Sequence, residues 1–132
     1  MVLVDTNILL DIANHDPAWL NWSLQHLRQA RIQDTLCLNI IIYTELIPAY
    51  HSSSDLDAAL AGSGILRVEL PYVCAAATAR AFAEYRKRGG SRTAPLPDFF
   101  IGTHAEAAGM TLLTRDPHRY RTYFPSVKLI CP

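Results

Sequence analysis

Five short apolar runs, each separated from the next by a stretch of helical character, constrain the fold of this chain more than any other feature. They are Val2-Leu3-Val4, Leu36-Cys37-Leu38, Ile65-Leu66-Arg67-Val68, Thr111-Leu112-Leu113-Thr114 and Val127-Lys128-Leu129-Ile130. Their apolar character is continuous instead of alternating, which marks strands covered on both faces, and strands that alternate with helices build parallel sheets. The expectation is an α/β protein, a three-layer α/β/α sandwich around a central, mainly parallel sheet of about five strands. A sheet of that kind places its working site beyond the carboxyl ends of its strands.

The segments between the runs carry helix signals. Ile8, Leu9, Leu10 and Ile12 follow the first run in a helical pattern, and Asp16-Pro17 predicts the start of a helix bearing Trp19, Leu20, Trp22, Leu24 and Leu27. Asn39 is placed to cap a helix that runs through Glu45. Pro48 falls inside that helix, where its missing N–H predicts a kink that re-aims Glu45. Ser54-Asp55 opens a helix ending near Gly62 and Gly64, and residues 72–88 read as the longest helix, closed by Gly89-Gly90. Ser91 to Pro97 is a loop, Pro97-Asp98 opens a helix that runs to Gly109, and Pro117 to Tyr123 form a short helix. No repeat or low-complexity segment divides the chain, so residues 1–132 are expected to form a single domain.

Half of the 132 residues are hydrophobic and 18% are charged, enough apolar material for a core without metal or disulfide staples. Three cysteines cannot all pair and match no zinc spacing, which predicts reduced thiols. With no basic leader and no run near the roughly 20 apolar residues that span a bilayer, the expected location is cytoplasmic, away from membranes. Twelve basic and twelve acidic side chains exclude a uniformly basic nucleic-acid coat protein. The neutral total is nevertheless made of opposite halves. Residues 1–66 hold seven acids against two arginines, and residues 67–132 hold ten bases against five acids.

Eight of the twelve acids have structural explanations. Asp16, Asp55 and Asp57 fall at helix starts, Asp34 in a turn, Asp11, Glu84 and Glu106 on solvated helix faces, and Glu69 beside Pro71. The other four are Asp5, Glu45, Asp98 and Asp116. Asp5 ends a strand that reads as buried, and Glu45 interrupts the apolar stripe of Ile41 and Ile42. Asp116 follows a strand as Asp5 does, and Asp98 follows the long loop, so one sheet edge can gather all four. Four converging carboxylates repel one another unless a cation stands between them. Oxygen-only ligation suits Mg²⁺ or Mn²⁺ and not zinc, and such ions serve phosphate chemistry. The residues alone thus point to a metal-dependent phosphoesterase.

Val-Asp-Thr-Asn at positions 4–7, Tyr-Thr-Glu-Leu at 43–46, Pro-Asp at 97–98 and Leu-Leu-Thr-Arg-Asp at 112–116 resemble, in order and spacing, the four acidic motifs of PIN-domain ribonucleases. More narrowly, the chain is similar to the small stand-alone PIN proteins that act as VapC toxins of type II toxin–antitoxin pairs, and Arg115 to Pro125 resembles the close of many of them. The resemblance implies that Asp5, Glu45, Asp98 and Asp116 are catalytic and bind one or two Mg²⁺ or Mn²⁺ ions. It implies that Thr6, Asn7 and Thr114 orient carboxylates or water. It further implies an RNA substrate, phosphodiester hydrolysis, an antitoxin protein whose C-terminal segment covers the site, and a homodimer built through apolar helical faces. A catalytically idle PIN-like module that binds RNA or protein is the alternative, and the four intact acids argue against it.

Ten of the twelve basic residues are arginine, the side chain suited to phosphate forks and base stacking. Arg86, Lys87, Arg88 and Arg92 surround the loop before Asp98, while Arg115 and Arg119 flank Asp116, and these six are the candidate RNA contacts. A helix C-terminus that favours cations also accounts for Arg86 to Arg88. Single-stranded RNA or an RNA loop fits better than duplex, since its bases can be splayed and read. None of the five histidines has a metal-motif spacing, and Trp19 and Trp22 read as packing residues. A phospho-receiver needs an acidic pair after its first strand, a dehalogenase-type phosphatase needs an acid where Asn7 stands, and a dinucleotide-binding fold needs a Gly-rich turn.

Overall fold

The computed structural model describes residues 1–91 and 96–132, so Arg92 lies outside the described residues. Among the described residues, five parallel strands form one sheet in the order β3-β2-β1-β4-β5: β1 is Val2–Val4, β2 Leu36–Leu38, β3 Leu66–Arg67, β4 Thr111–Leu113 and β5 Leu129–Ile130. Val2 pairs with Leu36 on one side and with Thr111 on the other. Every residue of β1 and β2 is buried, as are Leu112 and Leu113. The apolar runs are pure only in these interior strands. The edge strands shrink to two residues each, with β3 exposed and β5 half-buried, which is why Arg67 and Lys128 interrupt their runs.

Seven α-helices flank the sheet among the described residues and complete the expected three layers: α1 Thr6–Ala13, α2 Leu20–Gln33, α3 Ile40–Leu46, α4 Ser53–Ser63, α5 Cys74–Lys87, α6 Pro97–Ala107 and α7 His118–Tyr123. The chain builds β2 and β3 on one side of β1 and then returns to lay β4 on the other. The reversal opens a crevice beyond the carboxyl ends of β1 and β4, where ligands of open α/β sheets bind. Asp5 and Thr114 stand there, each directly after its strand.

Local chemistry sets the helix ends. The Asn39 side-chain oxygen accepts from the N–H groups of Ile41 and Ile42 and starts α3 as expected, and Gly64 closes α4 in the left-handed region at φ 72°. Asp16-Pro17 does not start α2. The Asp16 carboxylate accepts from the Ala18 and Trp19 N–H groups at 2.9 Å, capping a turn that feeds into a helix beginning at Leu20. The long helix begins at Cys74 instead of 72, leaving Tyr72 and Val73 exposed before it. Pro48 does not kink α3 either. The helix ends at Leu46, and Pro48 sits in a separate 3₁₀ turn, Ile47–Ala49, so its missing N–H terminates the helix and Glu45 stays on a regular last turn.

Candidate active site

Asp5 is the buried centre of the site, with 4% of its surface exposed. Its Oδ1 accepts from the Thr6 N–H at 2.8 Å and so caps α1. Its Oδ2 accepts from Thr114 Oγ1 at 2.7 Å, Asn7 Nδ2 at 3.0 Å and the Tyr120 hydroxyl at 3.2 Å. Burial pushes the Asp5 carboxyl up to about 6; the Thr114 hydroxyl opposes the shift, and the negative charge of Asp98 adds to it.

The remaining carboxylates come from three separate elements. Glu45, half-buried on the last turn of α3, accepts from Thr6 Oγ1 at 2.5 Å. Asp98, in the first turn of α6, is paired with Arg119 of α7, whose Nη1 lies 2.5 Å from Oδ2. Asp116 is exposed, and its N–H donates to Thr114 Oγ1 at 3.1 Å, so one hydroxyl holds both Asp5 and the backbone of Asp116. Tyr120 touches the first of these acids, its hydroxyl donating to Asp5 Oδ2. Its phenol is 1% exposed and pushed well above its usual value, first by burial, then by the negative charges of Asp5 and Asp98, with Glu45 contributing least.

The structure thus links Asp5 to Glu45 through Thr6, sets the charges of Asp5, Asp98 and Glu45 where each acts on the Tyr120 phenol, and ties Asp116 in through its backbone. No group of three or more His, Cys, Asp or Glu side chains among the described residues is already arranged to hold a metal ion. Glu45 is bound to a hydroxyl and Asp98 to a guanidinium, so shared ligation requires these side chains to move. The donor chemistry itself fits a hard divalent cation. The carboxylates are oxygen donors, and Asp5 is buried against neutral donors with a like charge nearby.

Thr6, Asn7 and Thr114 all take part in this hydrogen-bond network. The basic residues divide. Arg86, Lys87 and Arg88 are exposed at the end of α5, with Arg88 Nε 3.1 Å from Glu84 Oε1 and its guanidinium over the Tyr123 ring. Arg119 lies over the rings of Tyr85 and Phe99 while it holds Asp98. Arg115 turns away to Asp11, 2.9 Å from Nε to Oδ2.

Two acids read as structural take other roles. Asp11 is not on a solvated face: it is 2% exposed, bonded by Arg115 and by Ser23 Oγ at 2.8 Å. It stands three residues after the fully buried Ile8, so its position on the apolar stripe of α1 was the available signal. Asp57 is not a cap but accepts from the Tyr43 hydroxyl and from Arg67 Nη2, both at 2.7 Å. Tyr120 and the buried pair of Asn39 with His104 were also missed. Asn39 Oδ1 is spent on α3, so its Nδ2 donates to His104 Nδ1 at 3.1 Å, and burial lowers the His104 pKa, favouring the neutral ring.

A parallel three-layer α/β fold with an acidic site at its strand-order reversal is the class that this geometry defines. The chain belongs to the PIN domain family, whose family model matches residues 2–125. Among solved structures it is similar to VapBC2 from Rickettsia felis bound to a promoter DNA fragment, with 21% identity, a TM-score of 0.73, and coverage of 99% of this chain and 98% of that one. DNA-bound VapBC from Salmonella typhimurium gives 20% identity and a TM-score of 0.71 over 98% and 96% of the two chains. VapBC-1 from nontypeable Haemophilus influenzae gives 18% and 0.71 over 99% and 98%. These likenesses establish a shared fold. A search among curated proteins found no match.

Proposed function

We propose that this protein is a metal-dependent endoribonuclease and the toxin of a type II toxin–antitoxin pair. The observation that carries the reading is the hydrogen-bond network that joins Asp5 to Glu45 through Thr6 and to Asp116 through Thr114 at the carboxyl edge of β1, in a chain of the PIN family. Its similar structures are VapBC assemblies, two of them with DNA, which supports a cognate antitoxin as partner. RNA as substrate, a homodimer and a cytoplasmic site of action belong to the same reading.

Asp5, Glu45, Asp98 and Asp116 would hold one or two Mg²⁺ or Mn²⁺ ions. When bound, the ion supplies easier deprotonation of water and neutralises charge on the phosphoryl and leaving oxygens. The protein's own part is to position. Thr114, Asn7 and Tyr120 fix Asp5, Thr6 holds Glu45, and Arg119 holds Asp98 until it is released. Water attacks phosphorus, the bond to the 3′-oxygen breaks and that oxygen takes a proton, leaving 5′-phosphate and 3′-hydroxyl ends. Arg86, Lys87 and Arg88, exposed at the end of α5, offer the phosphate-facing rim, with Arg119 of α7 as a further phosphate contact; Arg92 belongs to the same reading on its sequence alone.

The alternative, an idle RNA- or protein-binding module, has the Arg119–Asp98 pair in its favour, since that pair occupies a proposed ligand. One assay decides between the two. With single-stranded RNA and Mn²⁺, the wild type is expected to cut, while Asp5→Asn and Asp98→Asn keep the fold by circular dichroism and lose at least about a hundredfold in rate. Wild-type cutting by either variant, or full activity in EDTA, overturns the mechanism.

A further inference from the structure

A buried carboxylate is costly unless something compensates it. Asp11, inside α1, is compensated from a distant part of the chain: Arg115 Nε lies 3.1 and 2.9 Å from its two oxygens, across 104 positions of sequence. Ser23 of α2 donates to the same carboxylate. The Arg115 guanidinium also lies over the Trp19 ring, 5.4 Å from its centre. Charge and face of this arginine are therefore both engaged by the protein. Moving it onto an RNA phosphate would leave Asp11 buried without its cation.

Arg115 stands between two residues of the site. Thr114 before it bonds Asp5, and Asp116 after it is a proposed ligand on an exposed segment. The Arg115 N–H donates to Asn7 Oδ1 at 3.3 Å. That contact settles which end of the Asn7 amide faces the site: with its oxygen held by Arg115, its Nδ2 points at Asp5 and Thr114. An amide flipped the other way would set an oxygen against the Asp5 carboxylate.

We infer that Asp11 and Arg115 form a positioning pair, an ion pair buried at its Asp11 end and partly exposed at Arg115, that clamps the segment between β4 and α7 onto α1 and α2 and so sets where Asn7 and Asp116 stand relative to Asp5. The inference rests on the ribonuclease reading and deepens it, assigning Arg115 to the construction of the site in place of RNA contact.

Three measurements on Asp11→Asn test it, alongside a double variant, Asp11→Leu with Arg115→Met, that replaces both charges by apolar groups and leaves no unpaired ion. In metal-free protein, hydrogen exchange at the Arg115 and Asp116 amides is expected to quicken about tenfold or more in both variants. Calorimetry is expected to show about tenfold weaker Mn²⁺ binding, the scale of losing a partner that orients a ligand. On single-stranded RNA, kcat is expected to fall about ten- to a hundredfold while KM and the salt dependence of binding stay as in wild type. Unchanged amide protection in both variants overturns the clamp. So does an Arg115→Met variant whose salt slope drops by about one phosphate contact with kcat unchanged, because that places Arg115 on the RNA. A wild type that neither binds Mn²⁺ nor cuts RNA defeats the ribonuclease reading alone, and the exchange measurement still decides the clamp.

Discussion

Among the described residues, four donors converge on the Asp5 carboxylate, from Thr6, Asn7, Thr114 and Tyr120, and none of the four is a cation. Burial therefore wins, and the folded pKa of about 6 stands above the ordinary 3.8. A carboxyl raised on folding is stabilising while protonated; its contribution is complete below the unfolded value and is lost as pH rises through the folded one. Two pH units correspond to about 3 kcal/mol. Thermal melts in EDTA are expected to show wild type losing stability between pH 4 and pH 7 relative to Asp5→Asn, with Mn²⁺ reducing that loss. A difference between the two proteins that is flat with pH would contradict the buried, uncompensated carboxylate. Asp5 and Glu45 were legible because a strand end and an apolar stripe each run into a charge. Asp11 carries the same signal beside Ile8, but a helical acid reads as solvated when the opposite wall is not known. Tyr120 gave none beyond its place in a family-like motif, since its partner lies 115 positions away.

Among the elements, α6 is approached closely at Gly102, by the residue that caps α7. A Cβ on Gly102 would come within 2.3 Å of the Phe124 ring, which packs just after α7. That helix carries Arg119 and Tyr120, the partners of Asp98 and Asp5, so displacing Phe124 is expected to disturb both pairs. Gly102→Ala is expected to cost about 1–3 kcal/mol in denaturant unfolding and to slow RNA cleavage. Adding Phe124→Leu, which trims the obstructing ring, is expected to recover part of both. No recovery would mean that the close approach is not what the glycine serves. A glycine inside a helical pattern carries no such message in sequence, because the reason for it sits on another element. Pro48 shows the converse. Its missing N–H is legible, but kinking a helix and ending one are equally consistent with it, and the separate turn at Ile47–Ala49 decides.

Across the whole molecule, the fold joins an acidic half to a basic one. Three of the seven acids in residues 1–66 are committed in or beside the site, as Asp5, Glu45 and Asp11. The exposed cations at the end of α5 come beside α6 through Tyr85, whose ring lies 5.5 Å from that of Phe99, next to Asp98. Reversing Arg86, Lys87 and Arg88 to glutamate is expected to weaken RNA binding and flatten the dependence of log Kd on log salt by about 1–2. An unchanged slope would return the cluster to its structural role at a helix C-terminus.

The order of the strands also fixes when the site comes into being. β1 is the first strand in the chain, yet it lies between β2 and β4, and Asp5 waits for a hydroxyl 109 residues downstream. During translation the emerging first half carries Asp5 and Glu45 with nothing yet made to hold Asp5 from across the sheet. Contacts of such separation form late, after long stretches of chain have been ordered. Under the ribonuclease reading, a nascent chain is therefore inert towards its own messenger until β4 and α7 have left the ribosome.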